Sequence, residues 1–402
     1  MKKEAFKIAI IGSGGAGLSA ALEASGLTDG VVLITKSTLG SSNTALAQGG
    51  IAASLGEEDS PAIHFEDTMR CGSFQNSPAL VKEMVTGAAS TIKWLEKQDV
   101  LFDRDKTGRY MLKKSLGSTK ERLLSCGDKT GAVIIKSLKD RLKKTSVKLL
   151  ENSLVTDIKR KGRKFEIRYD DGKEQALLAD KVILCSGGSS FSEASSRNVF
   201  STNCGDATGE IEKMAARLGA KRKNPYSYQY HPLGYLFPEA LRGKPIPETV
   251  LSFGAVITGR KGRVEFDPNK NRKALSSKMM RSAKDGEAFN TPAGPGFKLD
   301  LRPVINEYGM DLIKKKFPKL AGNCRKHGID LSKKLLWIFP TLHYQNGGIR
   351  INRNTGTSVR GLYACGEVAG GIHGTDRLMG NSLLDIIYFG RKAGRIASGK
   401  ER

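Results

Sequence analysis

The six cysteines, at positions 71, 126, 185, 204, 324 and 365, contain no C-x-x-C pair. That spacing supports neither an iron–sulfur cluster nor a structural zinc site, so no metal is expected and the thiols read as reduced and buried. No window approaches the roughly 20 apolar residues that a membrane-spanning helix needs, so no transmembrane segment is expected. The chain enters its first apolar strand within a few residues of Met1, leaving no room for a signal peptide. A soluble, cytoplasmic protein is the resulting expectation. Internal repeats and low-complexity tracts are absent. Acidic residues are the scarcest charge: 41 Asp and Glu stand against 66 Lys and Arg, a formal net charge of +25. Such a field suits an acidic protein partner or an anionic substrate drawn towards a cleft. Nucleic acid is not expected, because the basic runs at 159–164 and 221–223 lack the interleaved aromatics of a single-strand groove.

What is present begins with a glycine turn. Residues 7–11, Lys-Ile-Ala-Ile-Ile, form a short apolar run that reads as a buried parallel strand. Gly12, Gly14 and Gly17 follow at G-x-G-x-x-G spacing, with Gly15 between them. The first makes the tight turn, the second admits a pyrophosphate, and the third lets a helix over 18–23 pack on the strand. The N-terminus of that helix faces the phosphates. A second apolar strand, 31–34, arrives where a ribose-contacting acid belongs but ends in Thr35 and Lys36. A Thr hydroxyl can still contact the ribose and a Lys can approach phosphate.

Further along come Ser42-Asn43-Thr44, Gln48-Gly49-Gly50, Gly366-Glu367, His373-Gly374-Thr375-Asp376-Arg377 and Asn381-Ser382-Leu383. Taken in order over most of the chain, these motifs resemble the flavoprotein family of L-aspartate oxidase, fumarate reductase and succinate dehydrogenase. The resemblance implies FAD, an α/β Rossmann-like FAD-binding domain with a parallel sheet, and an inserted α+β capping domain. Residues 1–232 and 341–402 are expected to form the discontinuous FAD-binding domain, and 233–340 the cap.

Strands at 147–150, 154–158, 164–169 and 174–178, with the hairpin turn Asp170-Asp171-Gly172, read as a small antiparallel layer within the first domain. Residues 181–185 return to the parallel sheet and end in Ser186-Gly187. Thr208, Gly209 and Glu210 resemble a helix start at the cofactor, with Glu210 where the family has Asp. Glu367 is placed to accept hydrogen bonds from the ribityl hydroxyls. Asn381 and Ser382 are expected to cap a helix beginning near Leu383 whose N-terminus faces the flavin pyrimidine edge.

The resemblance also bears on attachment and chemistry. Asn43 stands where covalent members carry a flavin-linked histidine, and an amide nitrogen is not a competent nucleophile for that bond, so noncovalent FAD is expected. His231, His343 and Arg377 match the dicarboxylate-binding positions, and an arginine fork suits a carboxylate. Glu248 remains from the proton-transfer group, Leu251 replaces the relay arginine, and the catalytic arginine falls at Ser276, with Lys278 and Arg281 nearby. The expected function is an FAD-dependent oxidoreductase acting on a small (di)carboxylate, with L-aspartate-oxidase-like hydride transfer to flavin N5. The alternatives are a fumarate-reductase-like or succinate-dehydrogenase-like flavoprotein, or a flavin-binding protein with a degenerate site.

Overall fold

The structure is a computed structural model that describes residues 3–267 and 271–400. Its organising strand is Glu4–Ile11, whose Ile8, Ala9 and Ile10 are almost completely buried. It pairs in parallel with Val31–Ile34 on one side and Glu174–Leu184 on the other. Apolar residues in succession, rather than alternation, are what a strand covered on both faces requires. Lys148–Leu150 extends the sheet beyond Val31–Ile34, also in parallel. Leu362–Ala364, arriving from the far end of the chain, pairs in parallel with the second half of Glu174–Leu184.

The expected antiparallel layer within the first domain is present over 154–178, but it is continuous with the parallel sheet and does not include 147–150. Glu174–Leu184 is one uninterrupted strand of 11 residues. Its first half pairs antiparallel with Lys164–Asp170, which pairs in turn with Leu154–Lys161. Asp180 stays extended within the strand, and Ala179, fully buried, sits opposite Phe165. The hairpin therefore prolongs the nucleotide-binding sheet, and Lys148–Leu150 belongs to the parallel part.

The first helix, Gly15–Ser25, starts earlier than the sequence suggests, with Gly14 as its N-cap. Gly17 lies inside it. A Cβ at Gly17 would stand 1.8 Å from the Gly12 carbonyl oxygen, so the turn and helix can close on each other only without a side chain there. The C-terminal helix, Asn381–Ala397, packs along this first helix. Cβ atoms at Gly390 and Gly394 would meet the carbonyl oxygens of Ala16 and Ala20 at 2.5 and 2.3 Å. Backbone-to-backbone approach thus joins the two ends of the chain.

A second hydrophobic core gathers residues from Leu233 to Ile338. The strands Tyr228–Tyr235 and Leu336–Gln345 carry the chain into and out of it and pair with each other antiparallel. The mixed α/β architecture with an FAD-binding and a capping domain follows from these two cores, and the antiparallel strand pair runs between them.

Gly17→Ala is expected to destabilise the protein by about 1–3 kcal/mol, the cost of forcing an extra carbon into a packed contact. Gly14→Ala, whose Cβ would meet Ser42 at an ordinary 3.5 Å, should change unfolding midpoints little. Thermal unfolding of the two apoproteins checks this. Equal stabilities would show that the Gly12–Gly17 contact does not set the turn.

Candidate active site

Between the two cores lies a cavity of about 1090 Å³. It is bordered at one end by Gly12, Gly14 and Gly15 and along its length by Thr35, Lys36, Ser42, Asn43 and Thr44. Gln48, Gly49, Gly50, Ser186, Gly187, Gly209, Glu210, Glu367, Ser382 and Leu383 continue the wall. Of the expected cofactor residues, Gly17, Thr208 and Asn381 do not border it.

Each of those three has a different task. Gly17 serves the turn described above. Thr208 accepts a hydrogen bond from Lys36 Nζ at 3.0 Å, and Lys36 also lies 3.7 Å from the Glu210 carboxylate. Asn381 is the first residue of the C-terminal helix rather than its cap. Gly380, at φ 89°, is the N-cap. The Asn381 side chain pairs through Oδ1 with His64 Nε2 at 2.7 Å and donates to Thr68 Oγ1 at 2.9 Å, which anchors the helix start to the helix Pro61–Cys71. The expected Asn381–Ser382 cap is therefore corrected: a left-handed glycine makes the tighter turn, and the Asn amide is used elsewhere.

The cavity fits a dinucleotide on its own geometry. Gly14 and Gly380, the N-caps of the first and last helices, offer no capping side chain, and both helices begin at the cavity wall. Such ends present positive dipole to an anionic pyrophosphate or to a reduced flavin ring. Asn43 Oδ1 accepts the Cys204 N–H at 2.9 Å, and its Nδ2 donates to Asn203, so its amide is held by a neighbouring loop. Glu367 Oε1 accepts from the Gln345 N–H at 3.0 Å and from Ser190 Oγ at 3.4 Å. Burial nevertheless pushes its carboxyl up to about 7 from an ordinary 4.5.

At the other end, the strands joining the two cores bring the reactive groups together. Arg272, the first residue of the helix Arg272–Lys284, donates through Nε to both Glu248 oxygens at 2.8 and 2.7 Å. Its Nη1 reaches Gln229 Oε1 at 3.3 Å, and Arg377 Nη2 reaches the same oxygen at 3.0 Å. Gln229 Nε2 donates to Asp376 Oδ1 at 2.5 Å and to the Arg377 carbonyl at 2.8 Å. One amide thereby ties two buried guanidiniums to each other, and the Arg377 cation also lies over the Tyr344 ring, 4.4 Å from its centroid.

His231 and His343 meet edge to face, with ring centroids 5.3 Å apart. His231 Nδ1 accepts the Leu233 N–H at 3.2 Å, which leaves the proton on Nε2, 3.9 Å from Glu248. Burial pushes His231 down to about 4, against the pull of Glu248, and burial with the Arg272 charge holds His343 well below its ordinary value. Both imidazoles are neutral at physiological pH, so the cationic groups of the site are the two arginines.

Arg272 is the residue that sequence spacing misses. The motif resemblance puts the family's catalytic arginine at Ser276, four residues after Arg272, which opens the helix. Ser276 instead donates its hydroxyl to the Tyr230 carbonyl at 3.1 Å, while Lys278 Nζ donates to the Glu265 carbonyl and Arg281 is exposed. The signal that points to Arg272 is Asn271, whose side chain accepts the Ala274 N–H and so caps the helix one residue before it. Gln229 is a second site residue absent from the motif reading, although it lies two positions before His231 on one strand. His373 does not border the cavity; it is buried against Asp385 of the C-terminal helix at 3.1 Å.

Comparison with known proteins agrees with this geometry. The FAD binding domain family matches residues 7–383. The chain belongs to that family. It is 30% identical to a fumarate reductase (CoM/CoB) polypeptide of Methanothermobacter marburgensis, over 98% of this chain and 73% of that protein. It is 32% identical to an L-aspartate oxidase of Streptomyces coelicolor, over 98% and 69%. Among solved structures it resembles E. coli quinol fumarate reductase FrdA, with a TM-score of 0.90 at 26% identity, covering 99% of this chain and 71% of that one. The chain is an FAD-dependent oxidoreductase homologous to L-aspartate oxidases and fumarate reductase flavoproteins. Among its described residues, no helix is long and apolar enough to cross a membrane.

Glu367 supplies a pH test with a definite sign. Its folded value lies above its unfolded one, so the protonated carboxyl favours the folded apoprotein below about pH 4.5, and that advantage, roughly 3 kcal/mol, is lost as pH rises to about 7. If the ionised group accepts ribityl hydroxyls, FAD affinity should climb over the same interval. Isothermal titration of apoprotein with FAD between pH 5.5 and 8 checks this, with Glu367→Gln expected to flatten the curve. A wild-type affinity independent of pH would remove Glu367 from the cofactor.

Proposed function

We propose that this flavoenzyme transfers hydride between the Cα of a four-carbon dicarboxylate unit and flavin N5, with L-aspartate-oxidase-like chemistry as the main reading. The observation that supports it most is the convergence of Arg272 and Arg377 on Gln229, with Glu248 behind Arg272 and two neutral histidines beside them. The arginine forks and the imidazole N–H groups can grip two carboxylates. The bound flavin supplies a two-electron acceptor or donor.

Arg377 is suited to hold one carboxylate in place, stiffened by Gln229 and by the face of Tyr344. His231 and His343 are suited to hold the other, each presenting a neutral ring in a dry wall. Arg272 is the group in position to move a proton, because Glu248 binds its Nε side and leaves the guanidinium bordering the cavity. This argues against the degenerate-site alternative, which rests on a serine at the arginine position. The same Arg272–Glu248 pair favours a second reading, reduction of a fumarate-like double bond, in which the guanidinium delivers the proton.

Anaerobic mixing distinguishes the two directions. Bleaching of oxidised flavin by L-aspartate supports the first, and reoxidation of dithionite-reduced flavin by fumarate supports the second; inertness towards both would overturn the dicarboxylate reading. In the active direction, Arg272→Met should lower turnover by about 10² to 10⁴, the usual worth of general acid–base catalysis. Ser276→Ala should leave it within a few-fold, and the reverse ranking would return the role to the later position.

Noncovalent attachment is part of the same proposal, because the Asn43 amide stands at the linkage position. Acid precipitation should release all the yellow colour into the supernatant. Flavin retained in the pellet would refute it.

A further inference from the structure

The cavity does not end at the arginines. It continues into an outer lobe between the 112–128 segment of the FAD-binding domain and the capping-domain residues Leu251, Phe253, Lys316 and Lys319. The lobe and the cofactor wall are parts of one space of about 1090 Å³. Leu112, Leu116, Leu251 and Phe253 give it an apolar lining. Leu251, nearly buried, stands where the family resemblance calls for a cation, and Phe253 packs edge to face on Phe317 at 5.8 Å.

The same lining carries cations. Lys113, Lys114, Lys316 and Lys319 border it from two domains. Lys114, Lys316 and Lys319 have no side-chain ion pair among the described residues, and Lys113 has only a distant one, Asp103 at 3.8 Å. Lys113 is held in direction by Ser125 Oγ at 2.6 Å. Two acids share the 112–128 wall, Glu121 and Asp128. Glu121 is exposed; Asp128 Oδ2 accepts the Lys319 backbone N–H at 2.7 Å, and its charge also acts on Lys113 and Lys319, so four lysines face these two acids and Asp103. Burial pushes Lys113 down, Asp103 opposes it, and the Lys316 charge adds to the push, so the lysines of the two domains feel each other across the lobe. An apolar gallery that ends in an excess of lysines has the form of a site for an amphipathic anion.

We infer that the outer lobe is a second anion-binding site, which takes the distal acidic group of a substrate longer than a four-carbon acid: a succinate-like unit bearing an apolar arm that ends in a carboxylate or phosphate. The inference rests on the inner site holding the dicarboxylate unit, and it extends the substrate class at the other end of the same cleft. The apolar arm lies along Leu251 and Phe253, and its terminal anion reaches the four lysines.

Three acids test it on the FAD-loaded protein by flavin absorbance perturbation: succinate, pentylsuccinate and hexane-1,2,6-tricarboxylate. The tricarboxylate should bind at least tenfold more tightly than pentylsuccinate, which has the arm without the anion. Inorganic phosphate should weaken the tricarboxylate and leave pentylsuccinate unaffected. In the double variant Lys114→Met/Lys316→Met, at two exposed positions, the ratio of tricarboxylate to succinate affinity should fall by tenfold or more. Succinate binding without any tricarboxylate preference, or a ratio unchanged in the double variant, overturns the inference alone. Failure of all three acids to perturb the flavin overturns the inner-site reading and the inference with it.

Discussion

Two guanidinium groups buried within reach of one amide oxygen are the constraint around which the reactive end of this protein is arranged. Arg272 and Arg377 repel each other in a wall that water does not screen, and burial together with the Arg272 charge pushes the Arg377 guanidinium down from its ordinary value. Glu248 and Asp376 offset that repulsion, and Gln229 keeps the geometry by accepting from both cations while donating to Asp376. Removing one partner of such a buried pair typically costs about 3–5 kcal/mol, because the other charge is left uncompensated. The capping helix must therefore start where Arg272 can reach Glu248, and the strand Tyr228–Tyr235 must present Gln229 and His231 to the two arginines.

The cofactor end is governed by backbone instead of charge. Strand ends from distant parts of the sequence meet in one sheet, and the first and last helices approach so closely that glycine is required at the crossing. Two helix N-termini without capping side chains are thereby brought to one cavity. The positive ends that would be a cost in an empty wall suit an anionic pyrophosphate and a ring that gains negative charge on reduction.

Much of the cofactor site was legible in the chain because its signals are local. A glycine turn after an apolar strand is a contiguous pattern, and Gly12, Gly14 and Gly15 all border the cavity. The sheet was harder: the strands over 147–178 read as an antiparallel layer within the domain, and only the unbroken run of Glu174–Leu184 through both halves shows that it is one sheet with the parallel part. Asn381 misleads for a related reason. Asn is a good helix cap by type, but His64 and Thr68, more than 300 residues away, claim its side chain.

By itself the sequence determined the class: the motifs of an FAD-binding oxidoreductase, the absence of cysteine spacing for a cluster and the strong positive charge; it also marked His231, Glu248, His343 and Arg377 as candidates. Only the tertiary structure brought Arg272 beside Glu248 and Gln229. Arg272 and Ser276 lie one helical turn apart and are indistinguishable by spacing alone. Glu248 is 24 residues from Arg272 in the chain, and Arg377 meets Gln229 across 148. Contacts of that span carry no local signature, because they are set by how the capping sheet returns to the FAD-binding core and not by any pattern within a helix or strand.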